Sequence, residues 1–98
     1  MPELDPIIHQ PVRLRIMASL MALTSGGDID FSTLRDLLDL TDGNLGAHLA
    51  TLEEAGYIQV RKQFLHRKPR TSLSATDAGR ARFYDHVAAL RKIIDGGC

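Results

Sequence analysis

Residues 40–56 read Leu40-Thr41-Asp42-Gly43-Asn44-Leu45-Gly46-Ala47-His48-Leu49-Ala50-Thr51-Leu52-Glu53-Glu54-Ala55-Gly56. Leu45, Leu49 and Leu52 recur at the period of one buried helix face. Thr41 stands before them as an N-cap, with a hydroxyl able to take a first-turn N–H. Gly56 closes the segment as the residue after the C-cap. The spacing predicts a helix capped at Thr41 and ending near Ala55. Its other face carries Asn44, Ala47, His48 and Thr51, all small or hydrogen-bonding. Gly43 and Gly46 lower helix propensity, yet they keep the N-terminal end thin. A thin end exposes its first N–H groups, which favour phosphate.

Working back toward the N-terminus, Ser32 is a candidate cap for a helix over 33–40, with Leu34, Leu37 and Leu38 facing inward. Ser25-Gly26-Gly27-Asp28 breaks the chain before it. Residues 11–24 carry two apolar stripes, Leu14, Met17, Met21 and Ile16, Leu20, Leu23, and predict a first helix. Two adjacent stripes are more than one packing surface requires. Asp5-Pro6 is a cap and first-turn pair for a short N-terminal segment.

Working forward, the period changes after Gly56. Residues 57–61 and 71–75 read as paired strands. Between and at their ends, residues 61–70 hold Arg61, Lys62, Arg67, Lys68, Arg70 and His66 without an acid. Thr76 then caps a last helix from Asp77 to about Asp95, with the stripe Phe83, Val87, Leu90 and Ile94. The predicted class is mainly α with a small β-hairpin (α+β), in the order helix-helix-helix-strand-wing-strand-helix, over a single domain of 98 residues.

The net charge of zero hides a split. Residues 1–56 hold three basic and nine acidic side chains, whereas residues 57–82 hold seven basic and only Asp77. Such asymmetry signals a partner better than the total does. No apolar run of about 20 residues is present, so no membrane span is expected. The acidic start, Glu3 and Asp5, does not resemble a secretory signal. Cys98 is the only cysteine, which excludes a disulfide framework and a thiolate metal site and suits a reducing cytoplasm. Cys98 itself reads as an incidental thiol, with a redox switch or inter-chain link as the other reading. His9, His48, His66 and His86 fall in four different elements without metal-ligand spacing, so no metal and no cofactor is expected. No nucleophile–base pair, carboxylate dyad or phosphate loop argues for an enzyme.

Five stretches together resemble the small bacterial and archaeal winged-helix regulators of the ArsR/MarR-like superfamily. They are residues 9–17, 40–49, 52–58, 67–71 and 75–80, in that order, and they span nearly the whole chain. The tip carries His66 where similar wings often place glycine or another turn-former. The resemblance implies a winged helix-turn-helix and a homodimeric, cytoplasmic transcription regulator of double-stranded DNA. It implies no particular small-molecule effector.

On that reading a recognition helix over 41–55 enters the major groove, and a basic wing over 61–71 meets the backbone or minor groove. Thr41, Gly43, Asn44, Ala47, His48 and Thr51 are the candidate contacts on the helix. Lys62, Arg67, Lys68 and Arg70 are those on the wing. Asp42 is open to two roles, a cap-like acid at the helix start or an acceptor for a cytosine amine. Surplus apolar surface on the first and last helices predicts a dimer interface of Ile8, Leu14, Met17, Met21, Phe83, Val87, Leu90 and Ile94. The alternative is a winged-helix module that binds protein partners without DNA, favoured by the acidic first half and by Asp36, Asp39 and Asp42.

Overall fold

The computed structural model describes residues 4–24 and 26–96. Met1–Glu3, Ser25 and Cys98, on which the sequence places the start, part of the chain break and an incidental thiol, lie outside the described residues. The elements run α1 (Pro11–Met21), β1 (Ile29–Asp30), α2 (Phe31–Leu38), α3 (Asp42–Glu54), β2 (Ile58–Leu65), β3 (Lys68–Ala75) and α4 (Asp77–Ile94). The three strands form an antiparallel sheet in the order β1-β3-β2. None of the described helices is long and apolar enough to cross a membrane.

α1 lies at the centre. Ile16, Met17 and Leu20 are fully buried, and α2, α3, α4 and β3 all pack around it. Its core partners are Ile8, Leu34, Leu38, Leu45, Leu49, Leu52, Ile58 and Leu73. Gln10 caps α1 by accepting from the Arg13 N–H, and Pro11 takes the first helical position, where its missing donor costs nothing. The helix ends at Met21, three residues before the predicted Thr24. This central position revises the expected surplus on the first helix, because the protomer itself covers most of both stripes.

α2 starts earlier and stops earlier than the sequence suggests. Asp30 is its N-cap residue, and Ser32 lies inside the first turn with its hydroxyl bonded to the Asp30 carboxylate. At the other end Asp39 takes a left-handed conformation, φ 55°, and Leu40 N–H returns to the Arg35 carbonyl. That is a C-terminal cap of the kind glycine usually supplies. Leu34 and Leu38 are buried, but Leu37 is 63% exposed, so its expected inward position is corrected.

The hairpin is longer than predicted. β2 and β3 pair in register from Ile58–Ala75 out to Leu65–Lys68, leaving only His66 and Arg67 as the turn. Both have positive φ, 52° and 65°, as a type I′ turn requires. Asn-Gly is the usual solution there, and any residue that carries a Cβ costs about 1 kcal/mol in this region. Arg67→Gly is therefore expected to slow amide exchange at Leu65 and Lys68 about fivefold, read by hydrogen exchange at the hairpin end. Unchanged protection would show that the turn carries no such cost. Pro69 is tolerated because it occupies a non-hydrogen-bonded position of this ladder, and β1 reaches only Ser72 and Leu73 on the other side.

α4 is capped as predicted, Thr76 Oγ accepting from the Gly79 N–H at 3.0 Å. Its buried residues are Gly79, His86 and Ala89, and the predicted stripe lies beside them: Phe83, Val87 and Leu90 are half-buried and Ile94 is 77% exposed. His86 Nδ1 accepts from the Asp5 N–H at 3.2 Å, so the neutral ring carries its proton on Nε2. His9 stacks obliquely on it with centroids 5.5 Å apart. Asp5 in turn accepts from the Tyr57 hydroxyl at 2.6 Å and from the N–H groups of Ile7 and Ile8. This knot joins the N-terminal segment to α4 and to the root of the wing.

The knot makes stability pH-dependent. Burial, then the nearby His9, lowers the His86 pKa, while Asp5 opposes them. The folded chain thus resists a proton that the unfolded chain accepts near 6.5. Stability present above that value is lost as pH falls through it. Asp5 acts lower down. Burial pushes its carboxyl up, but Tyr57, the two N–H groups and Arg82 outweigh that and lower it below 3.8. NMR titration is expected to place the His86 midpoint below about 6.5 and the thermal midpoint lower at about pH 5.5 than at pH 7.5. A His86 midpoint above that value would contradict the buried, neutral ring.

Candidate nucleic-acid interface

α3 is held between three surfaces. Leu45, Leu49 and Leu52 face the core. His48 turns toward α1, and Gly46, Leu49, Ala50 and Glu53 face the wing. The remaining surface is open and carries Gly43, Asn44 and Ala47, all exposed. Thr41 caps the helix by accepting from the Asn44 N–H at 3.1 Å, and Gly56, φ 82°, ends it with Tyr57 N–H on the Leu52 carbonyl. Among the described residues the N–H groups of Asp42 and Gly43 have no protein acceptor. They point out of the positive end of the helix.

A Cβ built at Gly43 or Gly46 meets nothing within 4 Å. Neither glycine is there for packing or for backbone freedom. Each leaves space that an outside surface can occupy.

Thr41 holds the N-cap position, and Asp42 sits in the first turn as the acid expected at the helix start. It accepts from Arg35 Nη1 at 2.7 Å, and Arg35 Nε also holds Asp36 at 3.0 Å. These bonds, Asp42 first, raise the Arg35 pKa further above its ordinary value. One arginine of α2 thereby pins the start of α3 and cancels two of the acids nearest the open face. Asp42 stands in the first turn, where its charge also suits the helix dipole.

Two further candidates on α3 are partly committed. His48 is half-buried, and its Nδ1 lies 3.3 Å from Arg13 Nη1. Burial and then Arg13 lower its pKa, so the ring is a neutral acceptor that ties α3 to α1. Arg13 Nε also donates to the Ile7 carbonyl, and Arg15 Nη2 to the Leu38 carbonyl at 3.0 Å. Both arginines thus tie α1 to neighbouring backbone, Arg15 from an exposed position. Thr51 is half-buried and its hydroxyl donates to the Ala47 carbonyl at 3.3 Å.

The wing stands beside this surface. Val60, Lys62 and Thr71 line one groove of about 400 Å³ with Phe31, Gly46, Leu49, Ala50 and Glu53. Lys62 and Thr71 are cross-strand partners. The pleat puts their side chains on the α3 side of the hairpin. Arg61, Lys62, Arg67 and Lys68 are exposed and have no acid partner among the described residues. Arg70 differs. It is half-buried, with Nε 3.4 Å from Asp30 and Nη2 3.5 Å from Asp28. β1 runs beside β3 and brings these two carboxylates to Arg70, so this cation also braces the wing's root.

Ala50 and Glu53 join the groove without being singled out by the sequence pattern. Ala50 lies three residues after Ala47 on the same outer side, a signal that small size hid.

The comparisons decide the family. The sequence model described as a winged helix DNA-binding domain matches residues 12–94. The chain belongs to the winged helix DNA-binding domain family. A winged-helix structure described as a transcriptional regulator homologue protein from Pyrococcus horikoshii superposes with a TM-score of 0.84, at 37% identity over 92% of this chain and 86% of that one. An uncharacterized protein of Methanocaldococcus jannaschii is 35% identical over 87 residues, 89% of this chain and 91% of its own length. FabT of Streptococcus pneumoniae, solved in complex with DNA, matches this winged helix with a TM-score of 0.58 and 25% identity, over 92% of this chain and 67% of FabT.

Among the described residues no group of three or more His, Cys, Asp or Glu side chains is arranged to hold a metal. Ile8 and Met17, expected at a dimer interface, are fully buried in the protomer's own core. A side chain without accessible surface has none to give a partner, so both leave that set.

Proposed function

We propose that this chain is a cytoplasmic transcription regulator, not an enzyme, that binds double-stranded DNA as a homodimer and represses from a pseudo-palindromic operator. α3 enters the major groove and the wing meets the backbone or minor groove. The observation that carries this is the shared groove. Lys62 of the wing and Gly46 and Ala50 of α3 line one concavity, so the cationic hairpin and the thin helix face the same way. Asn44 offers the exposed amide that pairs with adenine, and Thr41, Gly43 and Ala47 allow close approach. His48 and Thr51 support the helix from its flank.

The dimer rests on α4. Phe83, Tyr84, Val87, Ala88 and Arg91 line an open groove there, and Ile93 and Ile94 are exposed beside it. Leu90 adds to this apolar surface on α4, and Leu14 and Met21 of α1 keep part of their surface accessible to a symmetry mate. The whole chain then acts as one domain, with its first and last helices joining the protomers. Two recognition helices would stand about 34 Å apart, one DNA turn. A stable monomer in sedimentation at micromolar concentration would contradict this arrangement.

The functional test is retention of genomic fragments by the purified protein. Retained fragments are expected to share a two-fold motif with half-sites about 10 base pairs apart. Loss of all DNA at low salt would overturn the reading in favour of a protein-interaction module. The wing adds a quantitative expectation. About four phosphates neutralised per protomer give about eight per dimer, and log K should fall against log salt with a slope of roughly −7. A slope near zero would reject the electrostatic wing.

A further inference from the structure

Phe64 is 79% exposed near the end of β2, more than any other large hydrophobic side chain among the described residues. Nothing in the core needs it there. We propose that Phe64, backed by Pro69, is an apolar wedge that the wing seats in the minor groove of duplex DNA. The proposal rests on the DNA-binding reading and deepens it, because it gives the wing a contact that no cation supplies.

The pleat sets its direction. Val60 and Lys62 face the groove shared with α3, and Phe64 is the next residue on that face. It lies beyond the groove, where the hairpin extends past the body of the protein. Its cross-strand partner is Pro69, also exposed. Theirs is a non-hydrogen-bonded pair, the closer of the two pair types, which sets the rigid proline ring directly across the ladder from the phenyl ring. The His66-Arg67 turn closes two residues farther on and keeps the tip narrow.

The surroundings select the occupant. Lys62 shares the face of Phe64, Arg67 and Lys68 follow within four residues at the tip, and no acid occurs between Tyr57 and Thr76. A protein partner generally needs about 800 Å² on each side, far more than one phenyl ring and one proline present. A base step needs no more than a ring. Apolar side chains flanked by phosphate-seeking cations are the means by which proteins wedge into the minor groove, and pyrimidine–purine steps yield to them most readily. On this account the wing responds to how easily a step opens, which base-edge contacts from α3 do not report.

The chain contains no tryptophan, so Phe64→Trp installs a single reporter. The probes are two end-labelled duplexes of about 30 base pairs, one with central TA steps and one with a rigid A-tract, at low salt. Anisotropy of the label reads binding, and tryptophan emission reads the contact. The expected result is quenching of the Phe64→Trp emission and shielding from acrylamide on the TA duplex. Phe64→Ala should lose affinity about 10-fold there, less on the A-tract, with an unchanged salt slope. Phe64→Leu should keep most of the affinity. A reporter that stays open to acrylamide while anisotropy shows binding overturns the wedge and leaves the DNA reading standing. Wild-type-like binding by Phe64→Ala does the same. No binding of the wild-type chain to either duplex overturns both. Emission that depends on protein concentration without DNA assigns the tip to a second copy and overturns the wedge. The exposure of Phe64 means that none of these substitutions touches the core.

Discussion

Gly79→Ala is expected to destabilise the chain by about 3 kcal/mol or more, lowering the thermal midpoint by roughly 12–20 °C. A Cβ at this position would lie 2.0 Å from the Tyr57 carbonyl oxygen and 2.8 Å from its carbon. Those are backbone atoms, and that carbonyl accepts the Thr76 N–H at 3.0 Å. Thr76 also donates its hydroxyl to the Gly56 carbonyl at 2.6 Å and caps α4 through the Gly79 N–H. Relief of the clash therefore requires α4 to move off the strand root, which breaks the cap and loosens the packing of His86 and Ala89. Thermal melting followed by circular dichroism checks this. A shift of less than about 3 °C would mean that α4 does not pack on the strand at this depth. The sequence run Ala75-Thr76-Asp77-Ala78-Gly79-Arg80 is thereby explained as a strand exit, a cap and a contact point.

Ala47→Glu is expected to have the opposite profile. Ala47 is exposed on the open face of α3, and Glu is nearly as good a helix former as Ala. The thermal midpoint should change by no more than about 2 °C. DNA affinity should fall about 100-fold or more, since a long anion on a groove-facing helix meets both base edges and phosphates, once per protomer. Anisotropy of a labelled retained fragment measures it. Unchanged affinity with an unchanged fold would take α3 out of the groove.

These two substitutions mark where the sequence was informative. The α3 boundaries were legible because they rest on local chemistry: Thr41 satisfies a first-turn donor, Gly56 takes a positive φ, and three leucines share a face. The same holds for Thr76 and α4. The start of α2 was misplaced because Asp30 and Ser32 are both good caps, and only the pairing of β1 with β3 makes Asp30 the cap. A two-residue strand carries no period, so β1 was invisible, and with it the two acids that engage Arg70. The full length of the hairpin arms is not legible in the sequence because both faces are solvated beyond Val60, which erases the alternation that marks a strand.

Long-range contacts were the least legible. His86 and Asp5 meet across 81 positions, and a histidine between half-buried apolar residues gives no sign that it is the buried one. The helix stripe Phe83, Val87, Leu90 and Ile94 has the right period, yet the face turned to the core carries Gly79, His86 and Ala89. Small and polar residues were chosen there by closeness of approach, which hydrophobic periodicity does not register. On the open face of α3 the reverse held. Smallness was the signal, and it pointed to Gly43, Asn44 and Ala47 while passing over Ala50.

Backbone amide chemical-shift mapping during titration with duplex DNA at low salt tests the joined surface of helix and hairpin most directly. The amides of Thr41, Gly43, Asn44 and Ala47 are expected to shift together with those of Lys62 through Lys68, along a single binding curve. Shifts confined to α4 and the N-terminal segment, or movement of the hairpin without α3, would contradict it.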